Sequence, residues 1–520
     1  MNRRLFFSLI TVFAFLTSSL LACQDEPSAD PSVPTAISFS ADELVFTTAD
    51  AGSLPLTVTA PANPRFSGLP DWLSVTDGTF ADYKVTLMFN VKENPSYADR
   101  SATITVQAQG APYTTFKITQ YGTGFIDPDL PDNNAVKRMQ QLGLGWNLGN
   151  QLDAYVSSAG NSYLLPDETV WGNPKATQQT FDGVKEAGFT CVRIPVTWLR
   201  TIGPAPEYKI DKTWMARVTE VVEYAHQAGL QAIVNTHHDE DHNNGHWLNL
   251  KDAPNDPALN SQIKEEITAV WTQIANNFKD CGDWLMFEGF NELNDGGWGW
   301  SADFRKDPTR QCNVLNEWQQ TFVDAVRATG GNNSTRWLGI STYAANPEFE
   351  KYLVMPSDPA GKLMLSVHFY DPSDYTIGEK QYSDWGHTGK SGKKAPGGDE
   401  EHVKQVFGNL FNKYVAKNIP VYVGEFGCSM RNRADSRAWA FYLYYLEYVS
   451  KAARTYGLPA IIWDNGGNEG YGREHHCYIN HGTGQCTANS RMVIQTIVKG
   501  WCTNDPSYTL DTVFDSAPVI

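Results

Sequence analysis

Cysteine is scarce in this 520-residue chain, with eight in all. So few, so widely spaced, do not form a disulfide framework, and the fold must rest on its core. Basic residues are the minority, 41 against 58 acidic, for a net charge of −17. That field repels nucleic acid and anionic glycans and is indifferent to neutral ligands. Nucleotide signatures are missing. GLGWNLG at 143–149 brings its third glycine one residue late for a dinucleotide loop, and DWGHTGKS at 384–391 has Asp384 where a phosphate loop needs glycine. HHDEDHNNGH at 237–246 is rich in zinc-ligand types but lacks the HExxH helical register, which makes zinc the weaker reading there. Nothing in the chain calls for a cofactor or a metal.

What is present in excess is aromatic: 16 Trp, 23 Tyr and 25 Phe. In a chain of 41% hydrophobic residues this is more than a core needs, so the surplus lines clefts suited to flat, ring-shaped ligands such as sugars. The start reads as an export signal, with the basic MNRR, the apolar LFFSLITVFAFLTSSLLA and then Cys23. LLAC resembles the lipobox of bacterial lipoproteins, which implies cleavage after residue 22 and a lipid on Cys23. The following QDEPSAD resembles the export tag of surface lipoproteins in the Bacteroidetes. The expectation is a cell-surface or outer-membrane lipoprotein, monomeric, whose charge is −19 once Arg3 and Arg4 leave with the leader. Cys191 and Cys428 lie in strand-like runs and read as core thiols, whereas Cys477 and Cys486 are close enough to clip a loop.

Behind a tether at 23–36, residues 37–121 carry short alternating runs (ELVFTT, LPLTVTA, YKVTLMFNV, RSATITVQA, TTFKITQ) between Pro, Gly, Asp and Asn. Period two at that spacing predicts a small immunoglobulin-like all-β sandwich. DWLSV, RSATITV and the closing ITQYG resemble the BACON domain of Bacteroidetes carbohydrate enzymes; the unit is read as a spacer, with glycan binding the lesser alternative. Residues 122–134 are a linker by their Gly, Pro and Asp content. Over 135–503 eight apolar runs, starting near 142, 190, 231, 284, 336, 363, 420 and 459, alternate with amphipathic helices. That predicts an α/β fold, a (β/α)8 TIM barrel, with 504–520 as a tail.

Barrel active sites form at the carboxyl ends of the strands. Those ends carry Asn147, Arg193, His237 with His238, Asn291 with Glu292, His368 with Tyr370, Glu425, and Trp463 with Asp464. Two carboxyl groups facing across a cleft, here Glu292 and Glu425, are glycosidase equipment, one protonated and one ionised. Arg193 and Tyr370 are placed to hold Glu425 ionised, and Asn291 to bond a sugar 2-hydroxyl. A lone strand-end Glu is as often a cap or an ion-pair partner; the joint placement favours catalysis.

GWNLGN, VRIPVTW, NTHH, FNE, HFY, GEFG and IIWD, in that order across 135–501, resemble glycoside hydrolase family 5. The resemblance implies retention of configuration, Glu292 as acid/base and Glu425 as nucleophile, with Arg193, His237, Asn291, His368, Tyr370 and Trp463 completing the site. It also places Asn147 and His238 against the sugar. GWNLGNQLDA and WGNP look most like subfamily 4, the endo-β-1,4-glucanases and xyloglucanases, with Gln151 standing where Thr is common. The implied ligand is a neutral β-glucan. Xyloglucan-specific cleavage, β-mannanase action and a non-catalytic glycan-binding lipoprotein are the alternatives. Trp171, Trp247, Trp298, Trp300, Trp385 and Trp463 are candidate sugar platforms, while Trp271 and Trp439 fall at helical core spacing.

Overall fold

The computed structural model describes residues 33–46, 51–94, 100–120, 130–156, 167–240, 246–380, 382–467, 470–487, 489–503, 505 and 507–520. The leader, Cys23, most of the linker and residues 241–245 of the His-rich run lie outside them. Two compact units divide the chain, residues 1–124 and 125–520.

The first unit is two four-stranded sheets. One orders Ser38–Phe39, Gly52–Thr59, Lys84–Val91 and Leu73–Thr76; the other orders Glu43–Phe46, Thr114–Gln120, Arg100–Gln107 and Arg65–Ser67. Along Lys84–Val91 buried and exposed residues alternate, as period two requires when one sheet face is solvated. Leu56, Val58, Phe89, Ile104 and Ile118 fill the core. The Arg100 guanidinium lies 4.5 Å over the Trp72 ring and pins the DWLSV segment. Three strands were too short to read as runs: Ser38–Phe39, Arg65–Ser67 and Leu73–Thr76.

The second unit is a closed barrel of eight parallel strands: Gly145–Asn147, Cys191–Ile194, Gln231–Asn235, Leu285–Glu288, Leu338–Ser341, Leu363–Phe369, Val421–Phe426 and Ala460–Ile462. Each lies inside a predicted run. Both faces of such strands are covered, so they are continuously apolar rather than alternating. The helix Pro257–Asn277 turns Ile263, Ile267, Val270, Trp271 and Ile274 into the core. Gly188 and Gly229, at φ +103° and +70°, end the helices before the second and third strands, in the similar segments KEAGF at 185–189 and HQAGL at 226–230.

Two boundaries differ from the sequence reading. The linker's last residue, Asn134, already belongs to the helix Asn134–Leu142, because Asn133 caps it by accepting from Val136 N. Within the tail expected over 504–520, the helix Leu510–Asp515 packs on the unit, burying Leu510 and Val513, and Phe514 stacks on His387 at 3.9 Å. Cys477 and Cys486 are not joined by a disulfide; the Cys477 thiol lies 3.6 Å from Gly467 O.

Candidate active site

Arg193, on the second barrel strand, is fully buried at the centre of the mouth. Its Nε and Nη2 donate to Glu288, the shortest contact being 2.6 Å. Nη1 reaches Glu425 Oε1 at 2.8 Å and Asn147 Oδ1 at 3.0 Å, and Nη2 reaches Asn291 Oδ1 at 2.8 Å. One cation therefore serves two carboxylates, and its main partner is Glu288, not Glu425.

Glu288 is the residue that reading strand ends missed. It closes the fourth strand, fully buried, and also accepts from Tyr422 Oη at 2.5 Å and Asn235 Nδ2 at 3.1 Å. Burial alone would raise its pKa, but the Arg193 charge and hydrogen bonds hold it below the ordinary carboxylate value. The signal was an acid inside the apolar run FEGF, because an ionisable group in a strand covered on both faces needs a partner.

Glu425, on the seventh strand, and Glu292, in the loop after the fourth, bring carboxylate oxygens within 4.8 Å of each other and of the His368 ring. His368 Nδ1 is 2.7 Å from Glu292 Oε1 and 3.7 Å from Glu425 Oε2. Tyr370 Oη donates to Glu425 Oε2 at 3.0 Å, so both Glu425 oxygens are held. Register shifts at Val367/His368 and at Val423/Phe426 re-aim these side chains into the mouth. Burial pushes Glu425 above the ordinary carboxylate range, against the pull of His368 and Arg193. Burial would lower His368, but Glu425 and Glu292 win and raise it.

His237 is buried and held well below the ordinary imidazole value by burial, then by His238. Asn235 Oδ1 accepts from Val196 N, which fixes the amide so that its Nδ2 donates to His237 Nδ1 at 3.1 Å. The neutral ring then carries its proton on Nε2 and lies parallel to Trp463 at 5.8 Å. His238 is raised to about 9, because Asp153 at 3.6 Å outweighs burial. Tyr155 and Trp171 crowd its ring.

Asn147 needs correction as a sugar contact. It is fully buried, with its amide donating to Gly424 O at 2.9 Å and its oxygen taken by Arg193; it braces the guanidinium from below. Trp385 is a core residue, 2% exposed, against Tyr444, Tyr445 and Tyr448. Trp247 is half-buried and donates to Asp239 at 2.7 Å. Trp298 and Trp300 are 51% and 77% exposed on a braced loop: Asn294 Oδ1 accepts from Gly296 N, and Asp295 accepts from Gly297 N, Tyr343 Oη and Ser301 Oγ. Trp298 itself sits at φ +52°, a conformation that bulky residues keep only where neighbours enforce it.

Among the described residues two trios group donor atoms closely enough for a metal, Asp153 with His237 and His238, and the acid pair with His368. Asp153 already accepts from Asn150 N and Gln151 N, and the second trio is the acid pair itself. Gln151 is fully buried in a chain of loop contacts. Its Nε2 donates to Glu168 and Pro174 O, its Oε1 accepts from His481 Nδ1 at 2.9 Å, and Glu168 is held in turn by Arg217.

Comparison with known proteins agrees with this geometry. Residues 155–469 match the cellulase (glycosyl hydrolase family 5) family, and residues 66–121 match BACON, a putative N-terminal binding domain. A xyloglucan-specific endo-β-1,4-glucanase of Bacteroides ovatus is 32% identical over 480 residues, covering 88% of this chain and 91% of that protein. The structure of a Bacteroidetes-affiliated GH5 cellulase linked with a polysaccharide utilization locus superposes with a TM-score of 0.70 at 44% identity, over 74% of this chain and 98% of that one. A GH5-4 broad-specificity endoglucanase from Bacteroides salanitronis superposes at 0.66 with 50% identity, over 71% and 94%. An eight-stranded barrel with two facing glutamates at its mouth, matched along its length by these enzymes, belongs to glycosyl hydrolase family 5.

Proposed function

We propose that the chain is a retaining, endo-acting glycoside hydrolase that cleaves internal β-1,4-glucosidic bonds of plant β-glucans. The carrying observation is the spacing of Glu292 and Glu425, whose oxygens approach within 4.8 Å. Retaining enzymes hold their carboxyl groups about 5–5.5 Å apart, and inverting enzymes leave about 6.5–9.5 Å for a water. Glu425, held at both oxygens by Arg193 and Tyr370, attacks the anomeric carbon while Glu292 protonates the departing chain. Glu292 then takes a proton from water, and the hydroxide releases the glycosyl group from Glu425. Asn291 bonds the 2-hydroxyl, His237 and Trp463 frame the sugar ring, and His238 contributes from the rim beside Asp153.

Trp298 and Trp300 extend the cleft on the Glu292 side as stacking platforms. The chain works outside the cytoplasm, and we assign its anchoring to a lipid on Cys23, with the BACON-like unit as spacer over residues 37–121 and the barrel unit running from the helix at Asn134 through the helix Leu510–Asp515. Substrate breadth follows two leads, since the Bacteroides ovatus relative is xyloglucan-specific and the Bacteroides salanitronis neighbour has broad specificity. A glycan-binding protein on a decayed barrel would not need both acids with all their partners.

The test is a product profile of the purified mature chain on xyloglucan, carboxymethylcellulose, barley mixed-linkage glucan and glucomannan, with Glu425→Ala as control. Oligosaccharides from the glucans, absent with the variant, are expected. Binding without cleavage would replace the hydrolase by the glycan-binding reading.

A further inference from the structure

Arg431, beyond the seventh barrel strand, is 5% exposed, and among the described residues no carboxylate pairs with it. Cys428, Tyr375, Tyr442 and Tyr478 surround its charge, and its guanidinium lies 4.9 Å over the Tyr375 ring. A buried cation without a counter-charge is costly to keep, so the contacts it does make call for a reason. Nη1 donates to Ser429 O at 2.6 Å, within its own loop, and Nη2 donates to Tyr375 O, in the loop that follows the sixth strand. One side chain therefore clamps two neighbouring loops by their backbones.

The second of these loops begins at Tyr370. Thr376 Oγ1 donates to Tyr370 O and closes the loop on itself, while Ser429 N donates to Thr376 O at 2.7 Å and ties it again to the seventh-strand loop. Tyr445 Oη, from the helix Ser436–Thr455, donates to Asp371 O at 3.2 Å. The side chain of Tyr370 ends on the other carboxylate of the site, its Oη donating to Glu425 Oε2 at 3.0 Å. Such a bond weakens steeply as distance and angle depart from ideal, so a small shift of the Tyr370 backbone is felt at the nucleophile.

We propose that Arg431 is a positioning residue: by clamping Tyr375 O to Ser429 O it sets the Tyr370 hydroxyl on Glu425. Itself buried, it acts through Tyr370 alone. This role rests on the hydrolase reading above and adds to it a device that keeps the nucleophile ionised.

The test is a double-mutant cycle on the full mature chain, read from the pH profile of kcat/KM on an aryl cellobioside. Arg193, His368, Glu292 and Tyr370 face Glu425, and the Tyr370 hydrogen bond favours its ionised form, so losing that bond raises its pKa. Arg431→Met, which keeps the stem and removes both donors, should move the acid limb to higher pH and lower kcat roughly tenfold, with KM little changed. Tyr370→Phe should move the limb the same way, and adding Arg431→Met to it should move nothing further. Thr376→Val, which removes the hydroxyl held by Tyr370 O and leaves the charge in place, takes the place of Arg431→Met should that variant not fold. Additive losses, an acid limb that stays put while the melting temperature falls, or a limb unmoved by Tyr370→Phe overturn the positioning role and leave the hydrolase intact. A wild type inactive on both glucans and the aryl cellobioside overturns the hydrolase reading and the positioning role together.

Discussion

Glu288→Gln separates the electrostatics of the site from its chemistry. Wild-type Glu288 takes two of the three guanidinium nitrogens of Arg193, and Glu425 takes a share of the third. Removing one charge from a buried pair costs about 3–5 kcal/mol. For a unit of roughly 390 residues, unfolding entropy near 2.1 cal/mol/K per residue amounts to about 0.8 kcal/mol/K, so the melting temperature should fall by about 4–6 °C. The second effect is on Glu425. Freed from Glu288, the Arg193 charge faces Glu425 alone and draws its raised pKa down. The acid limb of kcat/KM on an aryl cellobioside should therefore move to lower pH in the variant. A third effect follows from linkage. Because the folded pKa of Glu288 is depressed, its stabilisation is complete above the ordinary glutamate value and is lost as pH falls through the folded value; in the variant this component of acid destabilisation disappears. An unmoved or upward-moving acid limb, measured beside a lowered melting temperature, would refute the idea that the two carboxylates compete for one cation.

In the wild type, Glu425 must be ionised to attack, and burial raises its pKa, so activity should fall with acid at a pH above the ordinary glutamate range; a limb at or below that range contradicts the assignment. Glu292→Ala should lower kcat on polymers by about 10²- to 10⁴-fold and much less on aryl glycosides with acidic leaving groups, whereas equal losses argue against the acid role. Trp298→Ala and Trp300→Ala should raise KM for polymers more than for small aryl glycosides, and equal effects would remove both from the cleft. Asn147→Ala should destabilise by about 1–3 kcal/mol in a thermal melt, since it leaves Gly424 O and Arg193 short of a partner; an unchanged melt would return Asn147 to the cleft.

The eight barrel strands were legible because strands covered on both faces must be apolar throughout, and because glycine-stopped helices punctuate them. Glu292, His368, Tyr370 and Glu425 were legible as a group because polar side chains at strand ends have no structural reason to recur. Glu288 escaped because a strand reads as buried whether or not one inward position holds a charge, and pairing is a property of neighbours distant in sequence. Asn147 has the same residue type whether it faces sugar or backbone, and only the contacts to Gly424 O and Arg193 tell which. Trp385 lies outside regular structure, yet its segment folds back onto the helix Ser436–Thr455, a long-range event invisible to local pattern.

The contacts of Gln151 bear on how such enzymes can be recombined. Through Glu168, Pro174, Arg217 and His481, that one amide ties the first mouth loop to the WGNP segment and to the segment before the last helix of the barrel, so these pieces hold one another in addition to their bonds to strand ends, Leu148 N to Arg193 O and Tyr478 N to Asp464 Oδ2. A chimera that imports one of them from a relative with Thr at this place inherits half of a knot. The transplantable cassette is the whole set, and substrate preference should travel with it only when all its members move together.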